Sequence, residues 1–243
     1  MSSAYHKYLQ NELRKLGNPE KSKNSAWFFK TGKGQYGEGD IFIGVTMPEQ
    51  RKLIKQYLHL SLKEIKQLLQ SPEHECRMCA LLILVEQFKK GTEEEKEKIY
   101  TLYLKNTKWI NNWDLVDASA EHIVGPWLET RKEKMKVLKT MAKSISLWER
   151  RIAMLSTYCY IKKGSSKEAT EIARLLLTDK EDLIHKAVGW MLREIGKRCS
   201  VIEEEFFLKN HCNKMPRTML RYAIEHFPEE KRKNYLNKKL DKM

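Results

Sequence analysis

Apolar residues recur along the chain at the i, i+3, i+4, i+7 spacing that is typical of one face of an amphipathic α-helix. This spacing predicts helices over almost the whole sequence. The predicted helices span 4–16, 20–29, 48–59, 61–70, 73–90, 93–105, 112–128, 131–142, 147–162, 166–177, 182–198, 201–209, 214–226 and 229–239. Several begin with an S/T-x-x-E pattern, which predicts a capping box for the free backbone amides of the first turn. These starts are Ser61 with Glu64, Thr92 with Glu95, Ser165 with Glu168, and Ser200 with Glu203.

Some of these starts lie in similar stretches of sequence. Residues 88–92 match residues 161–165 at an offset of 73, and residues 197–200 match residues 89–92 at an offset of 108. Both offsets are multiples of about 36 residues, the length of a repeat with two helices. Such repeats stack into a solenoid of the HEAT or armadillo type. We therefore predict one all-α domain over residues 1–243, an α-solenoid or superhelix of HEAT-like helical repeats.

A glycine-rich loop at residues 31–40 departs from the helical pattern. Together with the apolar residues that follow it, up to position 45, it holds five of the eleven glycines. It lacks the Gly-Lys-Ser/Thr spacing of a phosphate-binding P-loop. Two interpretations stay open, a flexible connection and a basic hairpin that contacts a ligand.

The composition is that of a folded and strongly basic protein. Apolar residues make up 41% of the chain, and 46 Lys and Arg against 32 Asp and Glu give a formal charge of +14. This excess points to a polyanionic partner, which is nucleic acid or, less often, an anionic membrane. No apolar run reaches the length of a transmembrane helix, and the N-terminus lacks the apolar core of a signal peptide. We expect a soluble, cytoplasmic protein without a membrane partner.

Two of the five cysteines, Cys76 and Cys79, form a C-x-x-C pair. A structural zinc site needs a matching second pair of ligands, and none follows in the sequence. The pair also lies within the apolar helix predicted over 73–90. We therefore expect buried, reduced thiols and no metal site.

Three of the predicted helices carry tryptophan together with charged residues at helical spacing. The groups are Trp113 with Asp117, Trp148 with Arg151, and Lys186 with Trp190 and Arg193. Equivalent helices of a solenoid line one concave surface, where these side chains are expected to converge. Structural interpretations also exist: tryptophans in the core, an ion pair between Asp117 and Arg151, solvated lysine and arginine, and Asp114 as a partner of a helix dipole.

The same residues carry a resemblance to a known family. Several blocks, in the same order and over nearly the whole chain, resemble the AlkD-type DNA alkylation repair glycosylases. They are NPEK at 18–21, GVTMPEQR at 44–51, NWDLVD at 112–117, LWERRIA at 147–153 and KAVGWMLRE at 186–194. The resemblance implies HEAT-like repeats with a basic concave groove for duplex DNA. It also implies hydrolysis of the N-glycosidic bond of positively charged N3- and N7-alkylated purines, without a metal or cofactor and without flipping the lesion.

Position by position, the resemblance assigns catalytic roles to Trp113, Asp117, Arg151 and Trp190. The chemistry of these residues agrees with this: Asp117 is suited to stabilise an oxocarbenium-like sugar and to orient water, and the indoles are suited to hold a cationic nucleotide. Arg151 is suited to grip a phosphate. The DNA-binding set is predicted to comprise Trp148, Lys186, Arg193 and Thr46. Thr46 stands where the family's G-I-Q-T-P block has glutamine, and the loop at 31–40 is longer than in that pattern.

These observations predict a monomeric alkylpurine DNA glycosylase that acts on duplex DNA, with no obligate protein partner. A first alternative is a non-catalytic HEAT-like scaffold that binds damaged or branched DNA, because the charge and the repeats suit it equally well. A second is a solenoid that grips an acidic protein, although this leaves the tryptophans unexplained. Asp117 separates these hypotheses, because a carboxylate repels DNA phosphates and is useful there mainly for chemistry.

Overall fold

The structure is a computed structural model that describes residues 5–237. Within this range the chain forms α-helices joined by turns, and its one β-type pairing is an isolated parallel bridge between Ile41 and Glu73. The all-α prediction is therefore confirmed. The chain divides into two compact units, Met1–Ile123 and Val124–Met243. The single domain over 1–243 stays a prediction, and residues 4 and 238–239 of the predicted terminal helices lie outside the described range.

The first unit is built from helices that are mostly short. They are α1 (Tyr5–Leu16), α2 (Pro19–Phe28), α3 (Met47–Ile54), α4 (Leu62–Leu69), α5 (His74–Lys90), α6 (Glu93–Lys105), α7 (Trp113–Asp117) and the beginning of α8 (Ala120–Leu128), with a 3-10 turn at Thr107–Trp109. α5 packs against α3, α4 and α6. Its residues from His74 to Val85 are all buried, as expected for a helix that is covered on every side.

The second unit follows the same plan around a second long helix. It contains the end of α8 followed by α9 (Lys134–Ala142), α10 (Leu147–Ser156), α11 (Tyr158–Ile161), α12 (Lys167–Leu175), α13 (Asp182–Arg198), α14 (Val201–His211), α15 (Arg217–Ala223) and α16 (Glu229–Leu236). α13 packs against α10, α14 and α15. Gly189 permits the close approach of α15, because a Cβ there would lie 2.4 Å from the carbonyl oxygen of Met219.

Two long predicted helices are interrupted. The predicted helix 112–128 is broken after Asp117, and the predicted helix 147–162 is broken at Thr157. At both breaks a hydroxyl bonds back to the preceding turn: Ser119 Oγ donates to Leu115 O at 2.6 Å, and Thr157 Oγ1 donates to Met154 O at 2.7 Å. Such bonds offer the backbone an alternative to continued helix, which the apolar spacing does not reveal.

Two of the four predicted capping boxes form in full. Ser61 and Thr92 each form the complete box with the glutamate three residues on. Ser200 accepts a bond from the backbone amide of Glu203, as expected for the start of α14. The box predicted at Ser165 does not form: its hydroxyl donates to the Glu168 carboxylate at 2.9 Å, but α12 begins only at Lys167.

The glycine-rich loop is a series of turns. Gly37 N donates to Lys30 O and Asp40 N donates to Gly37 O, each at 3.1 Å. Between them, the backbone amide of Gly34 donates to the Glu38 carboxylate at 2.7 Å. The loop thus forms local turns in place of the two paired strands that a hairpin requires.

The second unit also buries a carboxyl group that makes no hydrogen bond within the described residues. Glu204 on α14 has no exposed surface, and neither of its carboxyl oxygens has a hydrogen-bond partner among residues 5–237. Its Oε2 lies 3.2 Å from Nε2 of His226, outside hydrogen-bonding geometry. Burial raises the pKa of Glu204 to about 9, and the negative charge of Glu205 adds to this effect.

Candidate nucleic-acid interface

Helix α7 carries the first pair of predicted site residues. Asn112, which is fully buried, accepts a bond from the backbone amide of Trp113 at 2.8 Å and caps the helix. Trp113 and Asp117 are one turn apart, so both side chains lie on the same face. Each is partly exposed. The structure therefore brings this pair together on a short, capped helix.

The indole of Trp113 belongs to an aromatic cluster at the end of α2. It stacks on Phe29 with ring centroids 5.2 Å apart and an interplanar angle of 20°. Phe28 meets the same indole edge-on at 6.0 Å. Phe28 and its neighbour Trp27 are exposed, and the ammonium of Lys30 lies 5.0 Å from the Trp27 ring. The indole is thus fixed from one side by packed rings.

Asp117 lies close enough to the core for its charge to be felt there. The hydroxyl of Tyr103 is buried and lies 2.9 Å from Ser119 Oγ. Burial raises the pKa of Tyr103, the hydrogen bond with Ser119 lowers it, and the negative charge of Asp117 raises it again. Asp117 thus lies on the partly exposed face of α7, and its charge influences a hydroxyl group in the core.

Thr46 begins α3 at the surface of the same unit. It forms a capping box with Glu49, whose Oε2 accepts from the Thr46 backbone amide at 2.7 Å and from its hydroxyl at 2.6 Å. A cavity of about 150 Å³ opens beside it. Its lining includes Thr46, Phe29 and two residues outside the predicted site, His74 and Asp114.

His74 is the centre of a buried polar cluster in the first unit. Its Nδ1 lies 2.9 Å from Asp40 Oδ2, and its Nε2 lies 2.8 Å from Asp114 Oδ2. The guanidinium of Arg77 pairs with the other oxygen of Asp40. Asn112 Nδ2 donates to Asp40 Oδ2 at 3.2 Å. The cluster therefore joins the end of the glycine-rich loop, the start of α5 and the first turn of α7.

In the second unit, Trp148 and Arg151 lie one turn apart on α10. Trp148 is partly exposed, whereas only 5% of Arg151 is exposed. Nη1 of Arg151 donates to the carbonyl oxygen of Leu183 at 2.5 Å, which ties α10 to the start of α13. Arg151 therefore has a structural contact with Leu183, and its phosphate contact stays a prediction.

The remaining predicted residues follow one another along α13. Lys186 pairs with Asp182 at 2.9 Å, and Arg193 pairs with Glu225 from the segment after α15. Trp190, between them, is partly exposed and meets Tyr158 at a centroid distance of 5.6 Å. The structure thus brings Lys186, Trp190 and Arg193 onto one helix, with both cations engaged by carboxylates.

The other sequence predictions concern cysteine and membranes. Cys76 and Cys79 are both free thiols with no exposed surface, as expected. Burial raises the pKa of the Cys76 thiol to about 12. Over residues 5–237, no helix is both long and apolar enough to cross a bilayer.

Comparison with known proteins adds to this geometry. A search of curated protein sequences gives no significant match. The structure is similar to a solved structure described as a predicted DNA alkylation repair enzyme from Enterococcus faecalis, with a TM-score of 0.69 and 20% sequence identity. The match covers 88% of this chain and 98% of that one, which supports the predicted helical-repeat fold class. A family model described as "DNA alkylation repair enzyme" matches residues 9–227. The chain therefore belongs to the DNA alkylation repair enzyme family.

Proposed function

We propose that the protein is a monofunctional DNA glycosylase that removes positively charged N3- and N7-alkylated purines from duplex DNA, the first step of base excision repair. The observation that carries this proposal is the placement of Asp117 one turn from Trp113 on a capped helix. Family membership supports a role in alkylation repair, with DNA as the partner. The proposal takes the protein to act as a monomer, without a cofactor or an obligate protein partner.

The proposed reaction needs little acid catalysis. When the bond between C1′ and the purine nitrogen breaks, its electron pair neutralises the cationic base, which leaves without being protonated. The sugar becomes oxocarbenium-like, and the oxygen of a water molecule bonds to C1′. The water gives up a proton, which passes to the Asp117 carboxylate and then to solvent. The same carboxylate stabilises the positive charge on the sugar before the water adds.

Trp113 is suited to the other part of the task, which is to hold a cationic nucleotide. An electron-rich indole face attracts a nearby cation by about 0.5–2 kcal/mol, depending on how far the contact is desolvated. Because Phe29 stacks on one side of Trp113, the orientation of the indole is set before any ligand arrives. We assign Trp113 to contact with the lesion and Asp117 to the chemistry.

In the second unit we assign Trp190 to a second aromatic contact and Arg151 to a phosphate. A guanidinium carries five N–H donors, so the bond from Arg151 to Leu183 occupies one of several. Trp148, Lys186 and Arg193 are proposed to contact the DNA backbone. Lys186 and Arg193 would exchange their carboxylate partners for phosphates. In the first unit, Thr46 has the same proposed role.

The deciding experiment measures release of 7-methylguanine from methylated duplex DNA. We compare wild type with Asp117→Asn, which keeps the size of the side chain and one acceptor oxygen but removes its charge. We expect at least a hundredfold loss of the single-turnover rate with DNA affinity retained. Glu97→Gln makes the same charge change on an exposed part of α6 and should leave the rate unchanged.

The binding scaffold is tested in the same experiment. Wild type that binds DNA without releasing base from several cationic lesions would favour the non-catalytic scaffold. DNA affinity should fall with salt, at a log–log slope of about −0.9 for each phosphate contact. Binding that does not depend on salt counts against both DNA-based hypotheses.

A further inference from the structure

His74 lies between two carboxyl groups, one at each ring nitrogen. Both ring nitrogens lie within 3 Å of a carboxylate oxygen, Nδ1 from Asp40 and Nε2 from Asp114. A neutral imidazole has a single N–H donor, so it could bond to only one of the two carboxylates. An imidazolium has two donors and satisfies both. With both carboxyl groups ionised, the geometry therefore favours a charged ring.

The ring is held on its faces as well as at its edges. Phe42 stacks on it at a centroid distance of 4.4 Å with an interplanar angle of 23°. Phe29 lies at 5.4 Å and tilts by 35°. Phe29 is also the ring on which Trp113 stacks. His74 is therefore linked to α7 in two ways. Its ring bonds directly to the carboxylate of Asp114, and it contacts Phe29, which stacks on Trp113.

Asp114 connects the imidazole to the helix that carries Asp117. While its Oδ2 faces His74, its Oδ1 accepts from the backbone amide of Leu115 at 2.8 Å. The carboxylate thus bonds the first turn of α7 and the imidazole at once. Asp40 ties the second nitrogen to the glycine-rich loop, and through Asn112 it also reaches the cap of α7.

The charged groups around the His74 ring come from three segments: the glycine-rich loop, α5 and α7. The loop contributes Asp40 and α7 contributes Asp114. From α5 itself, Nη2 of Arg77 lies 3.5 Å from Nδ1 and pairs with Asp40. Glu75, the next residue on α5, is engaged by the backbone amides of Ile43, Gly44 and Val45.

The electrostatic balance agrees with the geometry. Burial lowers the pKa of His74, but the bonds to Asp114 and Asp40 and their negative charges outweigh this and raise it to about 9. The pKa of Asp40 is lowered: burial raises it, and His74 and Arg77 more than offset that. The ring accordingly stays charged at neutral pH and loses its proton only in alkaline solution.

We propose that His74 is a positioning residue, a buried imidazolium that fixes α7 so that Trp113 and Asp117 keep the orientation required for base excision. This inference rests on the proposed function of α7. When the ring loses its proton, one of the two carboxylates loses its donor and is left buried without that partner. Asp114 is the more exposed of the two, so it turns away and the first turn of α7 shifts.

The first arm of the test does not depend on activity. The ring charge of His74 is read by NMR of the ¹³C-labelled imidazole, assigned by the signal missing in His74→Gln. The indole N–H signal of Trp113 is assigned in the same way with Trp113→Phe. We expect the ring to stay charged up to about pH 8 and the indole signal to shift as the ring titrates near pH 9. A ring that is neutral at pH 7.5, or an indole signal that ignores its titration, overturns the proposal.

The second arm measures single-turnover excision from pH 6.5 to 9.5, corrected for base lost without enzyme. Asp114→Asn keeps an acceptor for Nε2 but removes one counter-charge. We expect near-normal excision at pH 6.5, within about threefold, and an alkaline fall displaced downward by at least one pH unit. His74→Gln should lower the rate at least tenfold with unchanged DNA affinity and no alkaline step, whereas His59→Gln at an exposed site should have no effect.

The two arms separate the failure of this inference from the failure of the proposed function. If wild type excises nothing, the glycosylase proposal fails while the NMR arm still decides the charge and coupling of His74. If wild type is active and Asp114→Asn has the alkaline step of wild type, His74 does not control the position of α7. A uniform loss of activity at every pH in Asp114→Asn is the result of a purely structural role and likewise overturns the proposal.

Discussion

The two units of the chain each bury ionisable groups, and they treat them in opposite ways. In the first unit, His74, Asp40 and Arg77 are nearly inaccessible, and each has a hydrogen-bonded partner of opposite charge. In the second unit, Glu204 is fully buried and has no hydrogen bond within residues 5–237. A buried charge persists when it is paired, whereas an isolated buried carboxyl group holds its proton.

The difference shows that the cluster around His74, unlike the site of Glu204, is arranged to hold charged groups. The first joins three segments that are distant in sequence and meets the helix that carries Trp113 and Asp117. Burial raises the pKa of Glu204 to about 9, so this side chain is neutral in the folded protein at pH 7. We infer that the second unit tolerates Glu204 as a buried acid, whereas the first unit depends on its charges. Three substitutions, each with a matched control, test this contrast.

The largest expected effect is on the first cluster. Arg77→Met removes the guanidinium that pairs with Asp40 and leaves the carbonyl oxygens of Ser71 and Pro72 without their donor. Breaking a buried pair on one side costs about 3–5 kcal/mol. We expect that loss in the free energy of unfolding, measured with urea. Arg14→Met is the matched control, because Arg14 is exposed and pairs with Glu73 at the surface, where loss of the pair should cost under about 1 kcal/mol.

Substitution of Glu204 should act in the opposite direction. Because the pKa of Glu204 is higher in the folded chain than in the unfolded chain, its contribution to stability is present at low pH and is lost as the pH rises from about 4.5 towards 9. Glu204→Gln has no proton to lose. It should therefore be more stable than wild type at pH 8, by at least about 2 kcal/mol, and show a smaller gain at pH 5. Thermal and urea unfolding at the two pH values measure this difference.

Glu194 is the matched control in the same unit. Burial raises its pKa, but bonds from Arg198 at 2.7 Å and from the Tyr158 hydroxyl at 3.2 Å outweigh this and lower it. Glu194→Gln should therefore lose stability at pH 8. If Glu194→Gln and Glu204→Gln change stability in the same direction, the contrast between paired and isolated carboxyl groups is wrong.

The smallest effect is expected at the capping box of α3, where the exposed Thr46 bonds to the carboxylate of Glu49. Thr46→Ala removes the capping box at α3, and Thr92→Ala removes the equivalent box at α6. Each should cost about 1 kcal/mol of unfolding free energy. Only Thr46→Ala should weaken DNA binding, by a factor of about two to five in a titration with labelled duplex. Equal DNA affinity in the two variants would remove Thr46 from the interface.

The helical content could be predicted from sequence because its signals are local. Apolar spacing and the pairs Ser61–Glu64 and Thr92–Glu95 lie within a turn or two of each other, and the structure confirms these helix starts. The breaks after Asp117 and at Thr157 were missed because hydroxyl groups compete for backbone carbonyls there. The spacing of apolar residues carries no trace of that competition.

The site could be predicted only in part, for a related reason. Trp113 and Asp117 are four positions apart, so one helix brings them together. His74 is 34 positions from Asp40 and 40 from Asp114, and the contact between them depends on tertiary packing. The sequence places His74 at the start of an apolar helix and Asp114 near a helix N-terminus, and neither position predicts an ion pair. Arg151 and Glu204 are likewise buried by residues that are distant in sequence, among them Leu183 and His226.

The turns of the glycine-rich loop offer an attachment point for a reporter group. The loop is anchored at its far end by Asp40 and at its base by the bond between Gly37 and Lys30. At its tip, Gly34 has a φ of +74° and open space around it. A short glycine-containing insertion there, carrying a cysteine for a fluorophore, lengthens the tip without entering either anchor. Asp40, at the end of this loop, bonds to Asn112, the residue before Trp113. A label on the loop would therefore report on the surroundings of Trp113 while the native tryptophans stay in place.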